Sequence, residues 1–267
     1  MSQYRQDYHI HTGFSIDSEA EMEAVCEAAL AKGIDEIAFT DHLDFGPNDP
    51  TDPFPAGSYL AAIRGCRDRY RGQLVVRAGI EVGEPHIFAD EAAGVIAPHE
   101  FDVVLGSAHY AEGMRAAWLE DFFDQPLHDA YESYFRQVVE LAAGGDFDIL
   151  CHLDLIKRDA RKLGKPYDGP GPYADMIRAA LRAVVERGKG IELNTSPLRR
   201  GQPEPCPSLE ILGWYRELGG EILTLGSDAH APHRVGSHLE VALEMVKSVG
   251  FDRLAAFERR QISWKGI

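Results

Sequence analysis

The chain has 267 residues, 45% hydrophobic and 26% charged, with 26 Gly and 15 Pro spread along it. That composition excludes a disordered or fibrous chain and leaves room for one large α/β domain. With 43 acidic against 27 basic residues the formal charge is −16, which argues against nucleic acid or anionic membrane as partners, since both are held largely through Lys and Arg.

In chain order, short apolar segments predict strands at 8–11, 36–42, 74–83, 102–110, 148–154, 190–196 and 221–230. Several are continuously apolar, as expected for strands buried on both faces of a parallel sheet. Helical patterns lie between them. The first, 18–32, carries Met22, Val25, Ala29 and Leu30 on one face, with Ser18 and Glu21 as a capping box and Gly33 as its stop. Others are expected at 59–70, 131–143, 173–187, 209–218 and 237–249. Two long loops rich in Gly and Pro, 45–58 and 163–172, read as active-site loops. The alternation predicts one parallel α/β domain over residues 1–267.

Four cysteines, Cys26, Cys66, Cys151 and Cys206, are widely spaced without a CxxC pair, so reduced thiols are expected. The start MSQYRQDYHIHTG lacks the apolar core of a signal peptide, and no apolar run reaches the roughly 20 residues of a membrane helix. The expected location is cytoplasmic, and no feature assigns an oligomeric state.

The histidines carry the chemical signal. Of 11, six fall at or just beyond the end of a predicted strand: His9, His11, His42, His109, His152 and His230. Asp41, Glu81 and Asp228 share those positions. Side chains at the C-terminal rim of parallel strands converge on one site. His9-x-His11 and Asp228-x-His230 each put two donors on one face of a strand, because side chains alternate with period two. Imidazole and carboxylate together suit zinc, manganese and iron, and a carboxylate such as Glu81 can bridge two ions. A lone HxH is weak evidence, and His86, His99, His128 and His238 lie outside the pattern as surface or boundary residues. Packing alone does not explain six strand-end histidines with acids beside them.

The segments DYHIHTGFSID, AFTDH, GIEVG, GSAHY, CHLD and GSDAH, in that order over 7–236, resemble the successive motifs of the PHP (polymerase and histidinol phosphatase) domain. The resemblance implies a distorted (β/α)7 TIM-like barrel holding two or three divalent metal ions, manganese, zinc or iron. It implies that His9, His11, Glu81 and Asp228 surround one metal, that Glu81, His109 and His152 hold a second, and that Asp17, His42 and His230 hold a third. Read without the resemblance, Asp17 could equally be an acid at a helix N-terminus. HLDLIKRD, ELNTSPLRR and GSDAHAPHRVG look most like the stand-alone histidinol-phosphate phosphatases of the histidine pathway. Pro197 departs from that pattern, standing where a small residue is expected.

The implied reaction is hydrolysis of L-histidinol phosphate to L-histidinol and phosphate, by in-line attack of a metal-bound hydroxide. Arg158 and Arg199 are the expected phosphate clamps, because guanidinium matches an oxyanion with paired donors; Lys157 and Arg200 are the neighbours most easily confused with them. His233 is a candidate general acid or an orienter of another group. Asp44, Asp49 and Asp52 are candidate partners for a cationic substrate group. No GxSxG elbow surrounds Ser107, Cys151 reads as core, and neither an aspartyl-phosphate signature nor a Gly-rich phosphate loop is present. The alternatives are a phosphoesterase for another small ester or mononucleotide, a metal-dependent amidohydrolase, or a non-catalytic metal-binding module. The amidohydrolase would call for a strand-end lysine that this chain lacks.

Overall fold

Seven parallel strands organise the molecule, each built on a short run of apolar and β-branched residues that the helices cover. The computed structural model describes residues 3–46, 49, 53–111, 114, 115 and 120–267. β1 (Gln6–Ile10) leads to α1 (Met22–Ala31), β2 (Glu36–Phe39) and the short β3 (His42–Leu43) to α2 (Ala56–Arg69), and β4 (Val75–Gly83) to α3 (Ala89–Ile96). β5 (Val103–Ser107) is followed by a small hairpin, β6 (Tyr110–Ala111) and β7 (Met114–Arg115), and then by α4 (Leu127–Gly144). β8 (Ile149–Leu150) precedes α5 (Ile156–Lys162) and α6 (Ala174–Glu186), and β9 (Gly190–Asn194) precedes α7 (Ser196–Arg199) and α8 (Leu209–Glu217). β10 (Leu223–Gly226) leads to α9 (Leu239–Ser248), and the chain closes with the antiparallel hairpin β11 (Arg253–Glu258) and β12 (Gln261–Gly266).

The neighbours run β1-β2-β4-β5-β8-β9-β10, with β3 beside β4. Past the end of β10, His11 N donates to Ala229 O at 2.8 Å and Ala229 N to His9 O at 3.3 Å. These bonds bring the last strand to the first and nearly close the sheet into a seven-stranded α/β barrel. Strand order follows chain order, as expected where each connection is a βα unit.

Two apolar layers hold the barrel. The larger lies between strands and helices and includes Ile10, Phe39, Ile80, Val104, Leu181, Leu193 and Leu225. The smaller fills the barrel's N-terminal end with Tyr8, Ala38, Val103, Leu105, Ile149 and Cys151, where β11 inserts Ala255, Ala256 and Phe257. Phe257 N donates to the Tyr8 hydroxyl at 2.9 Å, and that hydroxyl donates to Glu36 at 2.6 Å. With one end plugged by this hairpin, polar side chains collect at the other.

Each predicted strand overlaps an observed one, and the six predicted helices are present. The capping box is not formed: α1 starts at Met22, and the Ser18 hydroxyl instead donates to the carbonyls of His11 and His230, each at 3.2 Å. The hairpins, α3, α5 and α7 were outside the expectation, since short or Ala- and Gly-rich segments carry little periodicity. Pro197 sits in the first turn of α7, where its missing N–H costs nothing. All four cysteines are buried and unpaired, and among the described residues no helix is long and apolar enough to cross a membrane.

Candidate metal centre

The C-terminal rim gathers nine side chains predicted as ligands from widely separated points of the chain. His9 comes from β1, with His11 just past it. Asp17 lies in the following turn, His42 on β3 and Glu81 on β4. His109, His152, Asp228 and His230 stand just beyond β5, β8 and β10.

Glu81, 1% exposed, is the hub. Its Oε2 lies 3.2 Å from His9 Nε2, 3.5 Å from His11 Nε2 and 3.1 Å from His42 Nδ1. Its Oε1 lies 3.0 Å from His152 Nε2 and 3.4 Å from His109 Nε2, and accepts from the Ser107 hydroxyl. His11 Nε2 is also 3.6 Å from Asp228 Oδ1. Nearer the mouth, Asp17 Oδ2 is 2.9 Å from His230 Nε2 and 3.7 Å from His42 Nε2.

Donor atoms cluster within 4.8 Å of one another in four groups: His9, His11 and Asp228; His42, Glu81 and His109; His11, Asp17, His42 and His230; and His9, His152 and Glu192. Within these, His9 Nε2, His11 Nε2, His42 Nδ1 and Glu81 Oε2 are buried without a hydrogen-bond partner. Buried lone pairs left unmatched are costly. Their convergence, and the mix of imidazole and carboxylate, fits divalent cations.

Without a cation the local electrostatics keep Glu81 and Asp228 ionised and His11 neutral, while against their burial the facing carboxylates raise His9, His42, His109 and His230. Burial would push the Glu81 carboxyl up, yet the imidazoles of His9, His42, His109 and His152 hold it well below the usual range. Asp228 is likewise held low against its burial by His230, His9, His11 and Arg158. Burial, reinforced by His230 and His42, pushes the His11 imidazole well below its ordinary value, which keeps it neutral.

A second layer fixes how the rings present their nitrogens. The Ser15 hydroxyl has one proton and donates it to Asp41 Oδ1 at 2.7 Å. It then accepts from His42 N at 3.1 Å and faces His11 Nδ1 at 3.2 Å. His11 Nδ1 must therefore be the protonated nitrogen, leaving Nε2 bare toward Glu81. His109 Nδ1 lies 3.1 Å from Asp44 Oδ1, and His230 Nδ1 lies 3.1 Å from the carbonyl of Asp228. Such outer partners orient metal-binding imidazoles.

Asp41, whose strand-end position groups it with the ligands, is turned away from them to bind Thr12 and Ser15. Glu84 is a further buried carboxylate in this layer. It accepts from the backbone N–H groups of His109 and Tyr110, and burial pushes it up to about 7. Two candidate ligands, His152 and Asp228, have positive φ, 24° and 53°, a strain non-glycine residues adopt where the surrounding structure holds them.

A cleft of about 190 Å³ opens over the cluster, lined in part by Leu155, Arg158, Asp159, Lys162 and Arg200. Arg158 reaches Asp228 Oδ2 at 3.4 Å and Asp159 Oδ2 at 3.0 Å. Arg199 is placed elsewhere: its guanidinium donates to the carbonyls of Ser227 at 2.7 Å and Asp228 at 3.2 Å. The exposed Arg200 lines the cleft instead. Lys157 is fully buried against Asp154 at 2.6 Å. His233 is exposed on a turn outside the cleft wall. No described residue of 45–58 or 163–172 lines the cleft. Asp44 is buried beside His42 and His109, Asp49 accepts from Tyr110 and Gly46, and Asp52 lies outside the described residues.

The sequence profile of the PHP domain matches residues 7–196. A probable histidinol-phosphatase of Clostridium acetobutylicum is 30% identical over 97% of this chain and 98% of its own length. A histidinol-phosphatase of Lactococcus lactis is 26% identical over 96% of this chain and 95% of its own. The crystal structure of a histidinol phosphate phosphatase from Lactococcus lactis, complexed with zinc, L-histidinol and phosphate, superposes with a TM-score of 0.88. It is 26% identical, and the match covers 98% of this chain and 100% of that one.

Proposed function

This chain belongs to the PHP domain family, and from that premise we propose that it is a metal-dependent phosphatase hydrolysing L-histidinol phosphate to L-histidinol and phosphate. The observation that carries the proposal is the convergence of unpaired imidazole nitrogens on Glu81 beneath a cleft bearing arginines. The relatives named above supply the substrate.

Three metal positions are proposed, sharing Glu81 between two: His9, His11, Glu81 and Asp228; Glu81, His109 and His152; and Asp17, His42 and His230. Zinc, manganese and iron all suit these donors. Divalent cations held there would supply Lewis acidity toward phosphoryl oxygens and lower the pKa of coordinated water. The chain's own residues bind and orient. Glu81 and Asp228 stay ionised among the imidazoles, while the Nδ1 partners keep the rings turned inward. Arg158, which also touches Asp228, and Arg200 present guanidinium groups to the phosphate, where charge accumulates during transfer. Arg199 acts from behind, tethering the backbone of Ser227 and Asp228. A single domain over 1–267 and a cytoplasmic location complete the proposal, the latter supported by four buried thiols that form no disulfide.

The test is phosphate release by protein loaded with manganese or zinc, on L-histidinol phosphate beside sugar, serine and nucleotide monophosphates. Strong preference for L-histidinol phosphate is the expected result. Hydrolysis of the whole panel alike would retain the phosphatase and remove the substrate assignment. No release from any ester would remove both.

A further inference from the structure

We propose that Glu192 is a positioning residue for the metal centre, holding His9 in the orientation and tautomer that ligation requires. Glu192 lies on β9 and points into the barrel with 1% exposure, outside the cleft wall. Its Oε1 is 2.8 Å from His9 Nδ1. Its Oε2 accepts from the backbone N–H of His152 and from the Asn194 amide, each at 3.2 Å. The Asn194 amide is itself fixed, because its Oδ1 accepts from Ser196 N at 2.9 Å.

With two N–H donors on one oxygen, the carboxylate is an acceptor, and the proton between Oε1 and the imidazole belongs to His9 Nδ1. His9 Nε2 is then the nitrogen left for a metal. It is buried without a hydrogen-bond partner and faces Glu81 Oε2 at 3.2 Å. One carboxylate thereby sets two proposed ligands from two strands: the ring of His9 and the strained backbone of His152. A carboxylate behind a histidine raises its basicity as well as fixing its angle, and losing such a partner weakens metal affinity by roughly 10–100-fold. The site is built around this group, because its carboxylate lies against Gly226 of β10, where any Cβ would overlap Glu192 Oε1.

The inference rests on the metal-centre assignment, and the experiment separates the two. Zinc and manganese affinity and stoichiometry are measured by chelator competition on the full chain and on Glu192→Gln, with circular dichroism of the metal-free proteins as the check of folding. The expected result is unchanged stoichiometry with affinity weaker by roughly 10–100-fold in the variant. Equal affinities, or one metal fewer at saturation, which would make Glu192 a ligand, overturn the inference while leaving the metal centre. A wild-type chain that binds no metal overturns both. Should the variant not fold, the zinc-loaded wild type still decides the question: with ¹⁵N-labelled histidine, His9 is expected to be protonated at Nδ1, and protonation at Nε2 overturns the proposal.

Discussion

Gly226 and Glu192 meet across adjacent strands with no space for a side chain between them: a Cβ on Gly226 would overlap the Glu192 carboxylate and approach His9 Cβ to 2.5 Å. The glycine has a negative φ, so its role here is clearance rather than backbone freedom. Gly226→Ala is expected to cost about 1–3 kcal/mol of stability through overpacking. It should also weaken metal binding by displacing Glu192. Thermal unfolding with and without metal checks this, and an alanine variant with unchanged metal affinity would contradict the packing argument.

His11→Ala and Asp228→Ala each remove a proposed ligand. Each is expected to reduce turnover by more than the roughly 10–100-fold attributed to outer partners, and to lower bound metal by elemental analysis. Full activity in either variant would remove that residue from the centre.

The three arginines should separate by readout. Arg158→Ala and Arg200→Ala each forfeit a charge-assisted contact to phosphate worth about 1.5–3 kcal/mol, which lowers kcat/KM roughly 10–100-fold. Arg200→Ala should retain its metal. Arg199→Ala releases the carbonyls of Ser227 and Asp228, so its loss is expected in metal affinity first. The reverse pattern would exchange the roles of Arg199 and Arg200.

Chelation should destabilise the fold, because cations bind the native cluster and not the unfolded chain. At 100 to 1,000 times Kd, binding stabilises by about 2.7–4.1 kcal/mol, or roughly 5–15 °C in a chain of this size. A melting temperature indifferent to chelator and to re-addition of zinc or manganese would count against the centre.

His86, outside the centre, makes a pH prediction. Burial lowers its pKa from 6.5 to about 4, and its Nε2 faces the Gln137 amide nitrogen at 2.7 Å. The folded state therefore holds His86 neutral while the unfolded chain protonates it, so stability is lost as pH falls from 6.5 toward 4. His86→Gln removes that penalty. Between pH 7 and pH 5, in chelator-treated protein, its melting temperature should gain on wild type by about 2–6 °C. A constant difference across that range would show that His86 does not titrate this way.

Much of this molecule is legible in its linear order. Continuous apolar runs such as those of β5 and β10 specify a parallel sheet, because strands covered on both faces tolerate few polar residues. The histidines and acids at the strand ends then specify where the chemistry lies, because parallel strands bring their C-terminal ends to one rim. Glu192 had a signal of the same kind, a carboxylate flanked by the apolar Ile191 and Leu193. What only the tertiary structure decided is which neighbour faces inward. Asp41 and His42 are adjacent, yet the side chain of one binds Ser15 and that of the other faces Glu81. Arg199 and Arg200 are adjacent, yet one grips backbone carbonyls and the other lines the cleft. Direction at a strand end or in a single helical turn depends on local φ and on contacts made hundreds of residues away, such as Ser227 on Asp7, and no periodicity in the sequence encodes them.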